Sequence, residues 1–441
     1  MPGDTIYAPA TAAGRAPVGV LRISGPSAAA AARLLSGKDP PPPRTAVLRR
    51  LRDPDTGEAI DQALLLWFPA PRSETGEDVL EVQHHGGTAV LAGLVGVLAR
   101  APGVRPAKPG EFTRRAFLNG KLDLTAAEGL ADLIDATTAA QARQALRQLD
   151  GELGRVYGAW RERLLNSLAR LEAEIDFAPD QDVPGAMLAQ VLPDLALLRR
   201  EIGQHLADEG KGERLRAGVT VAVIGAPNVG KSSLVNLLAR REVAIVTAIA
   251  GTTRDVIEVQ LDLAGTPVVL LDTAGLRETD DPIEAAGVER ARRRAADADL
   301  LVHVVDATDP GPPPPPDGRT LLVRNKIDLL PGGVGGEQDL AVSCQTGVGL
   351  SALVAELSTR AAGLVTAGAS PVLTRARHRA AVADALAALD RFVAEAAGHG
   401  AELALLAEDL RLAARAIGSI VGIAGVEDVL DRIFASFCIG K

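Results

Sequence analysis

Only two cysteines, Cys344 and Cys438, occur in 441 residues, so the chain has no disulfide framework. No basic segment followed by an apolar core opens it at Met1-Pro2-Gly3-Asp4. Both absences point to a reducing, cytoplasmic setting. No run of 18 or more apolar residues exists, so no segment is long enough to span a bilayer as a helix. No amphipathic membrane element is found either. The formal charge is −9, which excludes a general polyanion-binding coat and makes any nucleic-acid contact local. What is present is 47% hydrophobic content, enough for about two or three cores. Runs of Ala, Arg, Gly and Pro follow a general composition bias, so Ala-rich helix propensity carries little weight.

The most informative stretch is Gly225-Ala226-Pro227-Asn228-Val229-Gly230-Lys231-Ser232. Before it stands Thr220-Val221-Ala222-Val223-Ile224, an apolar β-branched run that predicts a buried parallel strand; after it, Ser232 to Ala239 predicts a helix. A glycine-framed loop at a helix N-terminus offers unpaired N–H groups and the positive end of the helix dipole to an anion. Lys231 then reaches the β- and γ-phosphates of a nucleotide and the Ser232 hydroxyl binds Mg²⁺. Val229, Gly230 and Ser233 complete the cradle.

Three downstream segments decide which nucleotide. Val268-Val269-Leu270-Leu271 predicts a second buried strand that delivers Asp272-Thr273-Ala274-Gly275, where Asp272 holds Mg²⁺ through water and the Gly275 N–H meets the γ-phosphate. Leu321 to Arg324 delivers Asn325-Lys326-Ile327-Asp328. A carboxylate such as Asp328 accepts both N–H groups of a guanine edge, a pair that adenine does not offer. Ser343-Cys344 follows Leu340-Ala341-Val342 and occupies the last base-contacting loop. Thr252 and Thr253 lie in a segment positioned to sense the γ-phosphate through Mg²⁺. In this order and spacing the motifs predict a GTP-binding domain.

One absence shapes the chemistry. Many small GTPases place a Gln directly after Asp-x-x-Gly to orient the attacking water, but here that position is Leu276. Asn228 offers a side-chain carbonyl near the β/γ-bridging oxygen, where a monovalent cation can neutralise developing charge as an arginine finger does. Water orientation then falls to an acid in the segment 278–284: Glu284 is favoured, with Glu278, Asp280 and Asp281 as alternatives.

Patterning divides the rest. Strand-like runs 18–23, 63–68 and 78–83 alternate with helical stretches 28–35 and 88–101 in an α+β module, and 40–43 is a proline loop. Helical spacing follows, with Leu130, Leu133, Ile134, Leu164, Leu168, Leu171 and Ile175 at intervals of three and four, and it returns from about 375 to 437. His84-His85 is a polar strand end, because adjacent strand residues point apart. Arg375, Arg377 and Arg379 are candidate contacts to a nucleic-acid phosphate or a solvated face.

Several segments now carry a resemblance: Asp4-Thr5-Ile6 with 19–26, Thr75-Gly76-Glu77-Asp78-Val79-Leu80-Glu81, Pro109-Gly110-Glu111-Phe112-Thr113-Arg114-Arg115 running on to Leu124, and Phe437-Cys438-Ile439-Gly440-Lys441. With them the chain closely resembles the tRNA modification GTPase family MnmE, also called TrmE. The resemblance implies a multidomain α/β and α fold, with an α+β folate-binding, dimerising domain over 1–120. A helical domain over 121–213 and 372–441 follows, with a Ras-like P-loop GTPase domain inserted at 214–371. It implies a homodimer that joins a flavin-dependent partner, MnmG or GidA, in a heterotetramer. Together they add an aminomethyl or carboxymethylaminomethyl group to C5 of the wobble uridine of certain tRNAs. The carbon comes from 5-formyl- or 5,10-methylene-tetrahydrofolate.

By motif match the folate contacts fall on Arg22, Glu81, Lys121 and Lys441, in keeping with the need of a pterin edge for a carboxylate and of a glutamate tail for cations. K⁺ maps onto Asn228, Thr247, Ile249 and Thr252, Mg²⁺ onto Ser232 and Thr253, and the water-orienting acid onto Glu284. Cys438 has three readings: a thiolate attacking C6 of the uracil, a lipid-anchor box, or a thiol packed beside the folate pocket. A GTP-dependent ribosome-assembly or translation factor would need no folate pocket, and a dynamin-like remodeller would need a membrane element.

Overall fold

Alternation of inward and outward residues runs through the middle of the strands of the first sheet. In Ala16–Ser24, for example, Leu21 and Ile23 are buried while Val18 is exposed and Val20 and Arg22 are half-buried. The computed structural model of the chain describes residues 3–12, 14–177, 186–208, 210–240, 258–272, 296–311, 317–330, 340–365, 372–398, 402–423, 427–435, 437 and 440. By its contacts the chain divides into two units, one of residues 1–131, 148–158 and 418–441 and the other of 132–147 and 159–417.

The first unit holds β1 (Thr5–Pro9), β2 (Ala16–Ser24), β3 (Val47–Arg52), β4 (Ala59–Phe68), β5 (Val79–Gly86) and β6 (Val104–Pro106), in the order β3-β4-β5-β2-β1-β6. All pairings are antiparallel except β1 with β6. Helices Ala28–Ser36 and Thr88–Ala99 cover one face, burying Leu21, Ile23, Leu65, Leu80 and Val82 against Leu35, Leu94 and Leu98. On the other face helix Glu111–Leu118 sends Phe112 against Ile6, Ala8 and Ala107. β2, β4, β5 and the two covering helices fall on the runs expected from the sequence, whereas β1, β3 and β6 do not. Their runs are short, and β3 is an edge strand rich in arginine.

Charge fixes helix Glu111–Leu118 as firmly as apolar contact. Arg115 is buried, and its guanidinium reaches Asp4 at 2.7 Å, Glu77 at 3.0 Å and Glu111 at 3.2 Å. Arg105 joins from β6, to Asp4 at 2.6 Å and to both oxygens of Glu111 at 2.5 and 2.8 Å. Burial alone would raise the Glu111 carboxyl, but hydrogen bonds from Arg105, the Lys108 N–H and Arg115 reverse that and hold it at about 2. The C-terminal segment packs on this helix: Phe434 and Phe437 cluster with Phe117 and Leu124, and a Cβ on Gly110 would stand 2.5 Å from the Phe434 carbonyl oxygen.

The second unit carries a six-stranded sheet of β7 (Val219–Ile224), β8 (Glu258–Leu263), β9 (Thr266–Asp272), β10 (Leu300–Asp306), β11 (Thr320–Asn325) and β12 (Leu340–Ala341), ordered β12-β11-β10-β7-β9-β8. Every pairing is parallel except the β8–β9 hairpin, whose two-residue turn Ala264-Gly265 has positive φ at both positions. The central strands read as apolar runs because helices Lys231–Ala239 and Leu350–Val365 pack on the sheet, with Leu234, Leu238, Leu353 and Leu357 against Val221, Val302 and Val323. Long helices Glu152–Phe177, Ala186–Leu206, Ala376–Ala396 and Leu403–Val421 supply the helical part. Leu164, Leu168 and Leu171 are buried as their spacing predicts, but Ile134 and Ile175 are exposed. Arg375 and Arg379 are not a free cationic face: they pair with Asp132 at 2.7 Å and with Asp208 and Glu213 at 2.5 and 3.1 Å.

Glu111 gives this architecture a pH signature. A carboxyl held near 2 against an ordinary 4.5 adds stability that is complete above 4.5 and disappears as pH falls towards 2. Glu111→Gln is expected to cost about 1–3 kcal/mol at neutral pH and to flatten the acid limb. Urea unfolding from neutral pH down through 4.5 checks both, and equal slopes for variant and wild type would refute the assignment.

Candidate functional site

The carboxyl ends of β7, β9, β10 and β11 lie along one edge of the second sheet, the edge where open parallel sheets bind ligands. β7 runs into the loop 225–230 and then into helix Lys231–Ala239. Two glycines shape that loop. Gly225, at φ 143°, lies where a Cβ would stand 2.2 Å from the Val304 carbonyl oxygen, and Gly230, at φ 100°, where one would stand 2.2 Å from Asn325 Nδ2. Between them Asn228 is exposed at φ 63°, a conformation that costs a residue with a Cβ about 1–2 kcal/mol. The Lys231 ammonium donates to the Gly225 and Ala226 carbonyl oxygens, both at 2.9 Å, so it curls back over the loop. Ser232 follows it, half-buried in the first turn, with Ser233 exposed. Asp272 ends β9 beside Val223 of β7 and is buried.

The segments expected from the sequence to read the base gather at the β11–β12 side. Asn325 is buried; its Nδ2 donates to the Val229 carbonyl oxygen at 2.8 Å, and its Oδ1 accepts the Cys344 N–H at 3.1 Å. Lys326 sits at φ 66° with its Nζ 2.6 Å from Asp306 Oδ2. The Ser343 hydroxyl donates to Asp328 Oδ1 at 2.6 Å, leaving Oδ2 for a further donor. Burial pushes the Cys344 thiol up, which keeps it protonated at neutral pH. The structure therefore brings Asn228, Val229, Gly230, Lys231, Ser232, Ser233, Asp272, Asn325, Lys326, Asp328, Ser343 and Cys344 to one edge. Thr247, Ile249, Thr252, Thr253, Thr273, Ala274, Gly275 and Glu284 lie outside the described residues, as do Cys438 and Lys441. Asp306 was not foreseen. Its signal was a carboxylate closing Val302 to Val305, at the same strand end as the motifs.

In the first unit Arg22 and Glu81 are directly cross-strand on β2 and β5. Arg22 Nε donates to Glu81 Oε1 at 3.0 Å, Nη1 meets Glu74 at 2.6 Å, and the guanidinium lies 5.9 Å from the Phe112 ring centroid. Lys121 donates to the Pro71 carbonyl oxygen at 2.9 Å, so the loop carrying Glu74 links all three residues. A separate cavity of about 640 Å³ is lined by Arg105, Lys108, Glu111, Arg114, Leu118 and Phe434, among others, but not by Arg22, Glu81 or Lys121. His84 and His85 point apart, the first buried and the second exposed with Asp61 at 2.7 Å. Among the described residues no His, Cys, Asp and Glu side chains form a metal-binding group, and no helix is long and apolar enough to cross a membrane.

Residues 5–121 match the model of the GTP-binding protein TrmE N-terminus, and residues 124–438 match that of the MnmE helical domain. The chain is 55% identical to the tRNA modification GTPase MnmE of Parvibaculum lavamentivorans, over 99% of this chain and all of that one (100%). It is 54% identical to the protein of that name from Rhodospirillum rubrum, over 99% of both. A solved structure of Aquifex aeolicus Era bound to GDP and aluminium fluoride is 25% identical, covering 38% of this chain and 66% of that one at a TM-score of 0.25.

Gly230→Ala tests the clasp between the two halves of the nucleotide site. Its Cβ would collide with Asn325 at a φ that suits glycine, so a loss of about 2 kcal/mol or more in unfolding free energy is expected, with weakened GDP binding. Denaturant unfolding and fluorescence titration with GDP check this; an unchanged variant would refute it.

Proposed function

The chain belongs to the tRNA modification GTPase MnmE family, and on that premise we propose how its two candidate sites divide the work. The enzyme is a GTP hydrolase whose cycle serves the modification of C5 of the wobble uridine in certain tRNAs. The family match carries the tRNA part of this reading; the observation that carries the GTP part is the Asn325 side chain, which ties the phosphate-binding loop through Val229 to the base-reading loop through Cys344. Phosphate and guanine recognition are thereby set at a fixed separation.

Loop 225–230 and the first turn of helix Lys231–Ala239 take the triphosphate, with Lys231 leaving its loop carbonyls for phosphate oxygens. Asp328 accepts the guanine edge through the oxygen that Ser343 leaves open. The exposed Asn228 and the first-turn Ser232 are suited to their assigned ions: Ser232, with Thr253, to Mg²⁺, and Asn228, with Thr247, Ile249 and Thr252, to K⁺. When bound, these cations supply charge neutralisation at the phosphates. Glu284 orients the attacking water, and Thr252 and Thr253 sense the γ-phosphate.

Arg22, Glu81, Lys121 and Lys441 hold the tetrahydrofolate one-carbon donor. Glu81 Oε2 is free of Arg22, which suits a pterin N–H donor. Phe437 packs on Leu124, and a Cβ on Gly440 would stand 2.1 Å from the Pro9 carbonyl oxygen, which supports a role for the C-terminal segment at this unit. Homodimerisation occurs through the part of the first sheet's second face that helix Glu111–Leu118 leaves open. Val18, Leu48 and Leu64 are 54, 63 and 38% exposed there, on the same face as Arg22 and Glu81. The domains are those at 1–120, 121–213 with 372–441, and 214–371, and the flavin-dependent partner MnmG joins the dimer in a heterotetramer.

Two measurements test this. GTP turnover is expected to be about ten-fold or more faster in potassium than in sodium, with Asn228→Ala losing that stimulation more than GDP affinity; equal rates in both salts would remove the cation. Mass spectrometry of tRNA from cells lacking the protein should show wobble uridines without their C5 substituent, and an intact substituent would refute the modification role.

A further inference from the structure

Asn325 and Asp328 each rest on a partner from a recognised motif, but Lys326 rests on Asp306, which belongs to none. Lys326 Nζ stands 2.6 Å from Asp306 Oδ2, while Asp306 Oδ1 accepts the Thr308 N–H at 3.0 Å and the Thr308 hydroxyl at 2.7 Å. The carboxylate is thus clamped on one oxygen and faces the ammonium with the other. Sheet register fixes the distance: Asp306 is the β10 partner of Asn325, and the Ala307 N–H donates to the Asn325 carbonyl at 2.8 Å.

An ordinary exposed ion pair of lysine and aspartate contributes little, because two mobile side chains must be ordered. This pair differs in three respects. The Thr308 bonds order the carboxylate before the lysine arrives. Those bonds and the Lys326 ammonium, the largest influence, hold the Asp306 carboxyl at about 2, so it is ionised at any working pH. The Lys326 backbone is fixed at φ 66°, with its carbonyl accepting the Leu329 N–H at 3.0 Å. With backbone and ammonium both held, the flexible four-carbon stem has little freedom left to lose when a ligand binds.

We propose that Asp306 is a positioning residue of the guanine-nucleotide site, holding Lys326 extended between the ends of β11 and β10 so that it meets the nucleoside in a single conformation. The inference rests on the GTP-binding reading of this site. It predicts a contribution to affinity without a contribution to base choice, since Asp328 and not Asp306 faces the exocyclic amine.

The test is a double-mutant cycle in the full chain with Asp306→Asn, Lys326→Ala and the pair, read by titration with fluorescent GDP and IDP. Asp306→Asn is expected to weaken GDP and IDP alike, about three- to ten-fold, and to raise the KM for GTP rather than lower kcat. In the Lys326→Ala background it should add less than about two-fold, and Asp306→Glu should recover part of the loss. If Asp306→Asn does not fold, Thr308→Val, which loosens the carboxylate without removing it, should show the same coupling to Lys326→Ala in smaller measure, and lack of coupling would overturn the proposal. An unchanged GDP constant, or an equal loss with and without Lys326, would overturn it alone. Failure of the wild-type chain to bind GDP would overturn it together with the reading it rests on.

Discussion

The buried amide of Asn325 joins loops that are far apart in the chain. One end holds Val229, in the turn after the first strand of the parallel sheet, and the other holds Cys344, after the last. Among the described residues the amide's two polar atoms are bonded to these two loops, so displacement of either leaves a buried donor or acceptor unpaired, at a cost of about 1–3 kcal/mol. Gly230 makes the clasp possible, because a side chain there would occupy the space of the amide nitrogen. The site's dimensions therefore follow from one side chain and one missing side chain.

Strain gathers at the same edge. Of the four non-glycine residues with positive φ among the described residues, Asn228 and Lys326 fall in the phosphate loop and the base-reading loop. Such conformations persist where surrounding bonds over-determine them, and here those bonds come from strand ends in fixed register. The first unit is built differently. Its antiparallel sheet keeps one face partly open, and charge does much of the fastening: Arg115 and Arg105 gather Asp4, Glu77 and Glu111 around one helix. The segment 109–115, which carries much of the family likeness, thus has a structural reason for its composition. Gly110 admits the Phe434 carbonyl, Phe112 fills the sheet face, and Glu111 and Arg115 complete the ion network.

The parallel strands 220–224, 268–271 and 321–324 were legible because strands buried on both faces must be apolar throughout, and the loops after them carried recognisable phosphate and guanine chemistry. Strands β1, β3 and β6 were not, since short or edge strands owe their pairing to neighbours rather than to their own pattern. The helical spacing of Leu164, Leu168 and Leu171 identified a buried stripe, but Ile134 and Ile175 share that spacing and are exposed, because periodicity marks a face without saying how far its covering extends. Arg375 and Arg379 read as a cationic run, yet their carboxylate partners lie roughly 165 to 245 residues away in the chain.

Sequence by itself determined the ligand class and the identity of the motif residues, because a glycine-framed loop before a helix and a carboxylate after a buried strand have chemistry that is local. It also determined the family, through segments whose residue types are specific enough to name it. Tertiary structure alone decided which residues hold those motifs in place: Val229 and Cys344 about Asn325, Ser343 on Asp328, Asp306 on Lys326, and Glu74 and Phe112 about Arg22. The reason is physical. A hydrogen bond or ion pair acts over about 3 Å of space and takes no account of separation along the chain.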